Sequence, residues 1–119
     1  MGINGIKQRL RYHIKLAKIL RDKLKDSSHW QFPAPMMMNV ITVRWFNPKL
    51  NLEQLNTNNN KLLEHINSDG RFYLSGTKLD DAFVIRIVPA QTDVQESNVN
   101  ELFHLMEKIA SQLDESITL

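Results

Sequence analysis

The sequence predicts an α+β domain of order α-β-α-β-β-α, with a three-stranded, mainly antiparallel sheet covered by helices on one face. Three observations carry this. Apolar residues recur at spacings of three and four in an opening and a closing segment, the period of an amphipathic helix. Two β-rich runs flank a polar turn within residues 71–89, the pattern of a hairpin. A third β-branched and aromatic run, near residue 40, is separated from that hairpin by another helical segment.

The size suits one domain. A chain of 119 residues buries about two-thirds of its unfolded surface. With 42% hydrophobic and 24% charged residues it is globular. There is no cysteine, which excludes disulfides, thiolate zinc sites and cysteine nucleophiles. No apolar run approaches the roughly 20 residues of a membrane span. Charge interrupts the N-terminus, MGINGIKQRLRYHIK, throughout, unlike a signal peptide. The expectation is a cytoplasmic protein with no membrane partner.

The first helix carries Ile3, Ile6, Leu10, Ile14, Ala17, Leu20 and Leu24 on one stripe, and Asp26-Ser27-Ser28 ends it. It is also strongly basic. Residues 1–25 hold eight lysines and arginines and one acid, Asp22, against seven basic and twelve acidic residues in the remainder. Such a block suits nucleic acid, an anionic membrane surface, or an acidic neighbour on which the helix docks. The segment lacks the aromatic interleaving and second basic element of a nucleic-acid groove. Docking is the preferred reading, and no nucleic acid is expected.

The run MMMNVITVRWF, residues 36–46, follows the breaker Pro33-Ala34-Pro35 and reads as a strand that Asn47-Pro48 stops. Its three methionines suit a strand entry packed on a neighbour better than a soft-metal site. Asn56-Thr57-Asn58 offers N-caps for a second helix burying Leu62, Leu63 and Ile66, with Gly70 suited to its left-handed C-cap. RFYLSGTKLDDAFVIRIVP, residues 71–89, is the hairpin, with Asp80-Asp81 as its turn. A last helix runs from about Glu96 to Leu113, with Val99, Leu102, Phe103, Met106, Ile109, Ala110 and Leu113 on one stripe.

A right-handed crossover and a tight hairpin put the last strand, residues 82–88, in the middle of the sheet. Alternation then sets Phe83, Ile85 and Ile87 on one face, and Val84, Arg86 and Val88 on the other. If the helices take the Phe83 face, Arg86 looks out from the open face beside Val84, Val88 and either Ile41 or Val43. Apolar residues there should not stand in water, so something else is expected to cover them, if only by self-association.

Catalytic groups are sparse. His13, His29, His65 and His104 sit apart, without the spacing of a helical metal site, and read as surface or boundary residues. There is no glycine-rich phosphate loop and no serine elbow. No catalytic, cofactor-binding or metal-ligating residue is expected in this chain.

The stretch NNKLLEHINSDGRFYLSGTKLDDAFVIRI resembles the C-terminal small domain of group II pyridoxal-phosphate-dependent decarboxylases, the aromatic-amino-acid and glutamate decarboxylase relatives. That pattern runs N-x-x-L-L-x-x-I-N, a strand, a short turn, and a strand ending apolar-apolar-Arg-apolar. A helix follows with an apolar residue thirteen positions after the arginine, here the pair Arg86 and Val99. The front half is similar too. Gly2, Gly5, Ile6, Leu10, Arg11, His13, Leu16 and Ala17 match the helix G-x-x-G-[LI]-x-x-x-[IL]-R-x-H-x-x-L-A, and VITVRWF matches a strand with a central arginine, Arg44. The resemblance covers about residues 2–113. The chain departs from the pattern after Arg86, where it reads Val88-Pro89-Ala90-Gln91-Thr92, and Asn98 or Glu96 stands for the acid that opens the last helix.

The resemblance implies that residues 1–119 are one domain, the C-terminal small domain of a larger homodimeric decarboxylase acting on an amino-acid substrate. Pyridoxal phosphate would be held in the full-length parent by a missing N-terminal large domain supplying a lysine, an aspartate and a stacking histidine. No cofactor is expected here, and this chain alone is expected to be inactive. The resemblance further implies that Arg86 contacts the substrate carboxylate or supports the site from behind, a planar guanidinium gripping a carboxylate bidentately where a lysine cannot. Pairing within the fold is the third role open to it. Arg44 is expected to be structural, a cross-sheet or interface partner, and Val84 and Val88 to face the covering surface. A free-standing ferredoxin-like regulatory or ligand-binding module also has this element order.

Overall fold

The computed structural model describes residues 3–66, 71–90 and 93–118. In chain order the elements are α1 (Ile3–Lys25), β1 (Trp30–Gln31), β2 (Ile41–Trp45), α2 (Leu52–Ile66), β3 (Phe72–Leu79), β4 (Ala82–Pro89) and α3 (Glu96–Thr118). The expected cap at Gly70 lies outside the described residues. The sheet order is β1-β2-β4-β3, with every neighbouring pair antiparallel. The last strand is central, as its sequence predicts. The sheet has four strands and not three, because Trp30 and Gln31 pair with Trp45 and Arg44 at one edge. Two residues are too few to show any period, so this strand leaves no signal in the sequence.

The apolar stripes converge on one face of the sheet. Leu16, Leu20 and Leu24 of α1, Leu62 of α2, and Val99, Met106 and Ala110 of α3 pack with Ile41, Val43 and Trp45 of β2 and Ile85 and Ile87 of β4. Each fully buried side chain of this size contributes about 1.5–3 kcal/mol. Ile41 and Val43 both belong to this core, so neither stands on the open face as expected. The stripe of α3 continues to Ile117, which packs on the core and carries the helix past its expected end at Leu113.

Two starts differ from expectation. Strand β2 begins at Ile41, because Met37 and Val40 bridge around a tight turn with Met38 at a φ of 54°. Met37 and Met38 are exposed, and of the three methionines only Met36 packs on the core. Helix α2 begins at Leu52, ahead of the expected caps. Asn51 and Gln54 cap it reciprocally, Gln54 N donating to Asn51 Oδ1 at 2.9 Å and Asn51 N to Gln54 Oε1 at 3.0 Å.

The asparagines expected as caps lie inside α2 and join it to the sheet. The β2–β4 ladder ends at Val43 and Ile85. Beyond it, fully buried Asn59 accepts from Trp45 N at 2.7 Å and donates to Trp45 O at 3.0 Å and Leu55 O at 2.8 Å. Asn56 accepts from Phe83 N at 2.7 Å and donates to Asp81 O at 2.9 Å. Side-chain amides thus take the place of a strand partner, and the buried backbone groups of Trp45 stay satisfied. The hairpin turns on two residues, Asp80 and Asp81, with φ of 49° and 68°, the left-handed pair of a tight β-hairpin.

Candidate functional site

Register fixes what the open face carries. Thr42, Arg86 and Ser75 stand in one row across β2, β4 and β3. Val88 and Tyr73 form the row on one side, and Val84 and Thr77 the row on the other. Arg44 lies two residues along β2 from Thr42, on the same face. None of these positions holds an acid.

Arg86 is exposed at the centre of this face. Its cross-strand neighbours are hydroxyls, and its guanidinium has no hydrogen bond or ion pair with any other described residue. An exposed guanidinium without an internal partner is available to a group from outside the fold. The apolar part of the face is smaller than expected. Val84 is fully buried although it lies outside the main core, Thr42 is buried and Val88 is half-buried. Tyr73, 64% exposed, is the large apolar group that does face solvent there.

Arg44 is held. Its Nε donates to Gln31 Oε1 at 3.0 Å, and its guanidinium carbon lies 5.5 Å from the Phe46 ring centroid. Its partner is a neutral glutamine on the edge strand that the sequence pattern does not reveal. A groove of about 520 Å³ opens beside it, walled by Trp30, Phe32, Pro33 and Leu79, with Asp80 also on its lining.

A polar cluster has no counterpart among the sequence expectations. His29 Nδ1 lies 2.8 Å from Asp114 Oδ2, and Nε2 lies 3.5 Å from Glu107 Oε2. Trp30 Nε1 donates to Glu107 Oε1 at 3.1 Å, and Asn47 Nδ2 donates to Asp114 Oδ1 at 3.1 Å. The cluster ties β1 and the end of β2 to α3. Its one legible trace is the seven-residue spacing of Glu107 and Asp114, which sets them two turns apart on one helix face. His65 and His104 are exposed and His29 half-buried, but His13 is buried within the α1 stripe, against the expectation for a surface or boundary residue. Among the described residues no three metal-ligating side chains converge.

Helix α1 is covered only along its second half. His13 is its first buried residue, while Ile6 is 63% exposed. Lys7, Arg11, Lys15 and Lys18 are exposed along one stripe. No described helix is long and apolar enough to cross a membrane.

The side chains present do not fit pyridoxal phosphate. A Schiff-base lysine needs a desolvated pocket, and every lysine here is exposed except half-buried Lys23, whose Nζ sits 5.7 Å over the Phe103 ring.

No protein-family model matches the chain. It is 27% identical over 112 residues to phenylacetaldehyde synthase of Arabidopsis thaliana, covering 94% of this chain and 23% of that protein. It is 26% identical over 123 residues to tyrosine decarboxylase 1 of Narcissus pseudonarcissus, covering 98% and 24%. Among solved structures, Oryza sativa TDC with PLP and tryptamine matches with a TM-score of 0.81 at 20% identity, over 94% of this chain and 24% of that one. Catharanthus roseus tryptophan decarboxylase in complex with L-tryptophan matches with a TM-score of 0.78 at 22% identity, over 94% and 23%. The chain spans about a quarter of the length of the curated relatives it matches. Along nearly its whole length this chain is thus similar, in sequence and in fold, to one region of the pyridoxal-phosphate-dependent decarboxylases.

Proposed function

We propose that residues 1–119 act as the C-terminal small domain of a pyridoxal-phosphate-dependent amino-acid decarboxylase, a cytoplasmic homodimer whose cofactor is held by a separate, N-terminal large domain. The observation that carries this reading is the match over nearly all of this chain to about a quarter of each relative.

Within that enzyme the contribution of this chain is Arg86. Its guanidinium leaves the centre of the sheet with no partner of its own among the described residues. It would hold the substrate carboxylate, or a carboxylate of the surrounding site, in a fixed orientation through two parallel N–H···O bonds. Val84 and Val88 flank it, and Val88 meets the covering domain with Tyr73. Arg44 is assigned to the interface, and the basic stripe of α1 to an acidic surface of the same large domain. Nothing in these likenesses favours a free-standing ferredoxin-like module. Genomic sequence upstream of Met1 provides the test. A continuous frame encoding a lysine-bearing domain supports the reading, and an untranslated region or an unrelated frame overturns it.

A further inference from the structure

The groove beside Arg44 has the makings of a specific contact. Gln31 occupies the Nε of this arginine and Phe46 one side of its guanidinium, which leaves the two terminal nitrogens as a fixed fork. No acid among the described residues engages that fork in an ion pair, although Asp80 lines the same groove. The neighbouring walls are aromatic and apolar: Trp30, Phe32, Pro33 and Leu79. Arg86 lies on the same face, diagonal to Arg44 across β2 and β4, and diagonal positions stand about 7–8 Å apart.

Two arginines that form no ion pair with a described acid, Asp80 of the groove lining included, constrain whatever covers the face. Burying either guanidinium without a counter-charge costs several kcal/mol. A second copy of this chain applied face to face would bring arginine towards arginine, so an isologous pairing is disfavoured. The occupant must bring negative charge to Arg44 together with apolar bulk for the groove.

We infer that the Arg44 groove receives an acidic side chain next to an apolar one, both from the polypeptide that covers the open face. This rests on the reading that the face is covered within a longer enzyme. In it Arg44 is a docking anchor, and Arg86 stays free for the carboxylate at the reacting centre. Phosphate and lipid headgroups lack the apolar neighbour that the groove walls fit.

The test uses the 119-residue chain and two peptide probes, N-acetyl-leucyl-glutamate amide and its glutamine counterpart, followed by amide and arginine side-chain NMR. The glutamate probe should shift the signals of Arg44, Gln31, Phe32 and Leu79 and bind at least threefold more tightly than the glutamine probe. Arg44→Gln should abolish that preference, and Arg44→Lys, which keeps charge but not the fork, should restore only part of it. Lys7→Gln, on the exposed stripe of α1, should leave it unchanged. Equal binding of the two probes, shifts confined to α1, or tighter binding of inorganic phosphate than of the glutamate probe would overturn the inference. Shifts centred on Arg86 would overturn it too, while leaving the proposed role of Arg86 intact. Loss of decarboxylation in the whole enzyme on Arg86 substitution tests that role separately.

Discussion

At the scale of single residues, the contacts that hold the core together and the arginine proposed to act outside it fall on opposite faces of the sheet. His29 stands between two carboxylates of α3 and ties the edge strand to that helix. His29→Ala leaves Asp114 and Glu107 short of a partner in a half-buried setting, and should lower stability by about 1–3 kcal/mol. Chemical denaturation checks this, and an unchanged midpoint would remove the cluster from the set of stabilising contacts. Asn59 is a sharper case. Asn59→Ala strands the N–H and C=O of Trp45 in the core, at about 1–3 kcal/mol for each group. Asn58→Ala, one position away on the same helix, should change stability by no more than about 0.5 kcal/mol.

At the scale of elements, legibility follows pattern length. Helices α1 and α3 repeat their apolar residues over many turns, so both can be read from the sequence alone. The alternation in Ala82–Pro89 gives the faces of β4 and places Arg86 in the open. The two-residue β1 has no period at all. The start of α2 is displaced from its expected caps because Asn is both a good cap and, as Asn56 and Asn59 show, a good interior bridge to a strand. Only the fold around it decides which. The methionine run reads as β-rich, but a turn at Met38 cuts it. The hairpin turn offers a prediction at this scale. Asp81 adopts a φ of 68°, a conformation in which a side chain is strained and glycine is not. Asp81→Gly should stabilise the chain by about 0.5–1 kcal/mol, and thermal unfolding would detect it. A loss of stability would mean that the Asp81 side chain does more than turn the chain.

At the scale of the whole molecule, the two faces of the sheet differ in kind. A helical core closes one face of the sheet, while the other presents two arginines that no described acid pairs with. Half of α1 projects its basic residues without burial. Mixed with pyridoxal phosphate, the 119-residue chain should form no stoichiometric, site-specific lysine adduct, because its lysines lie in water. Absorbance near the visible edge followed by borohydride trapping and peptide mapping checks this. A single modified lysine at full occupancy would contradict it.

The central claim, that Arg86 serves a reacting centre outside its own fold, is tested most directly by single-turnover decarboxylation in the full-length enzyme carrying Arg86→Met and Arg86→Lys. Loss of a charge-assisted contact at the reacting centre raises the barrier by about 2–4 kcal/mol, or roughly 30- to 1,000-fold in rate. Arg86→Met should show that loss and Arg86→Lys should recover only part of it, since lysine lacks the fork. Melting of the 119-residue chain should barely move with either, because Arg86 is exposed and has no partner among the described residues. A chain that unfolds on Arg86→Met, beside a full-length enzyme that keeps its rate once folded, would make Arg86 a structural residue and contradict the account.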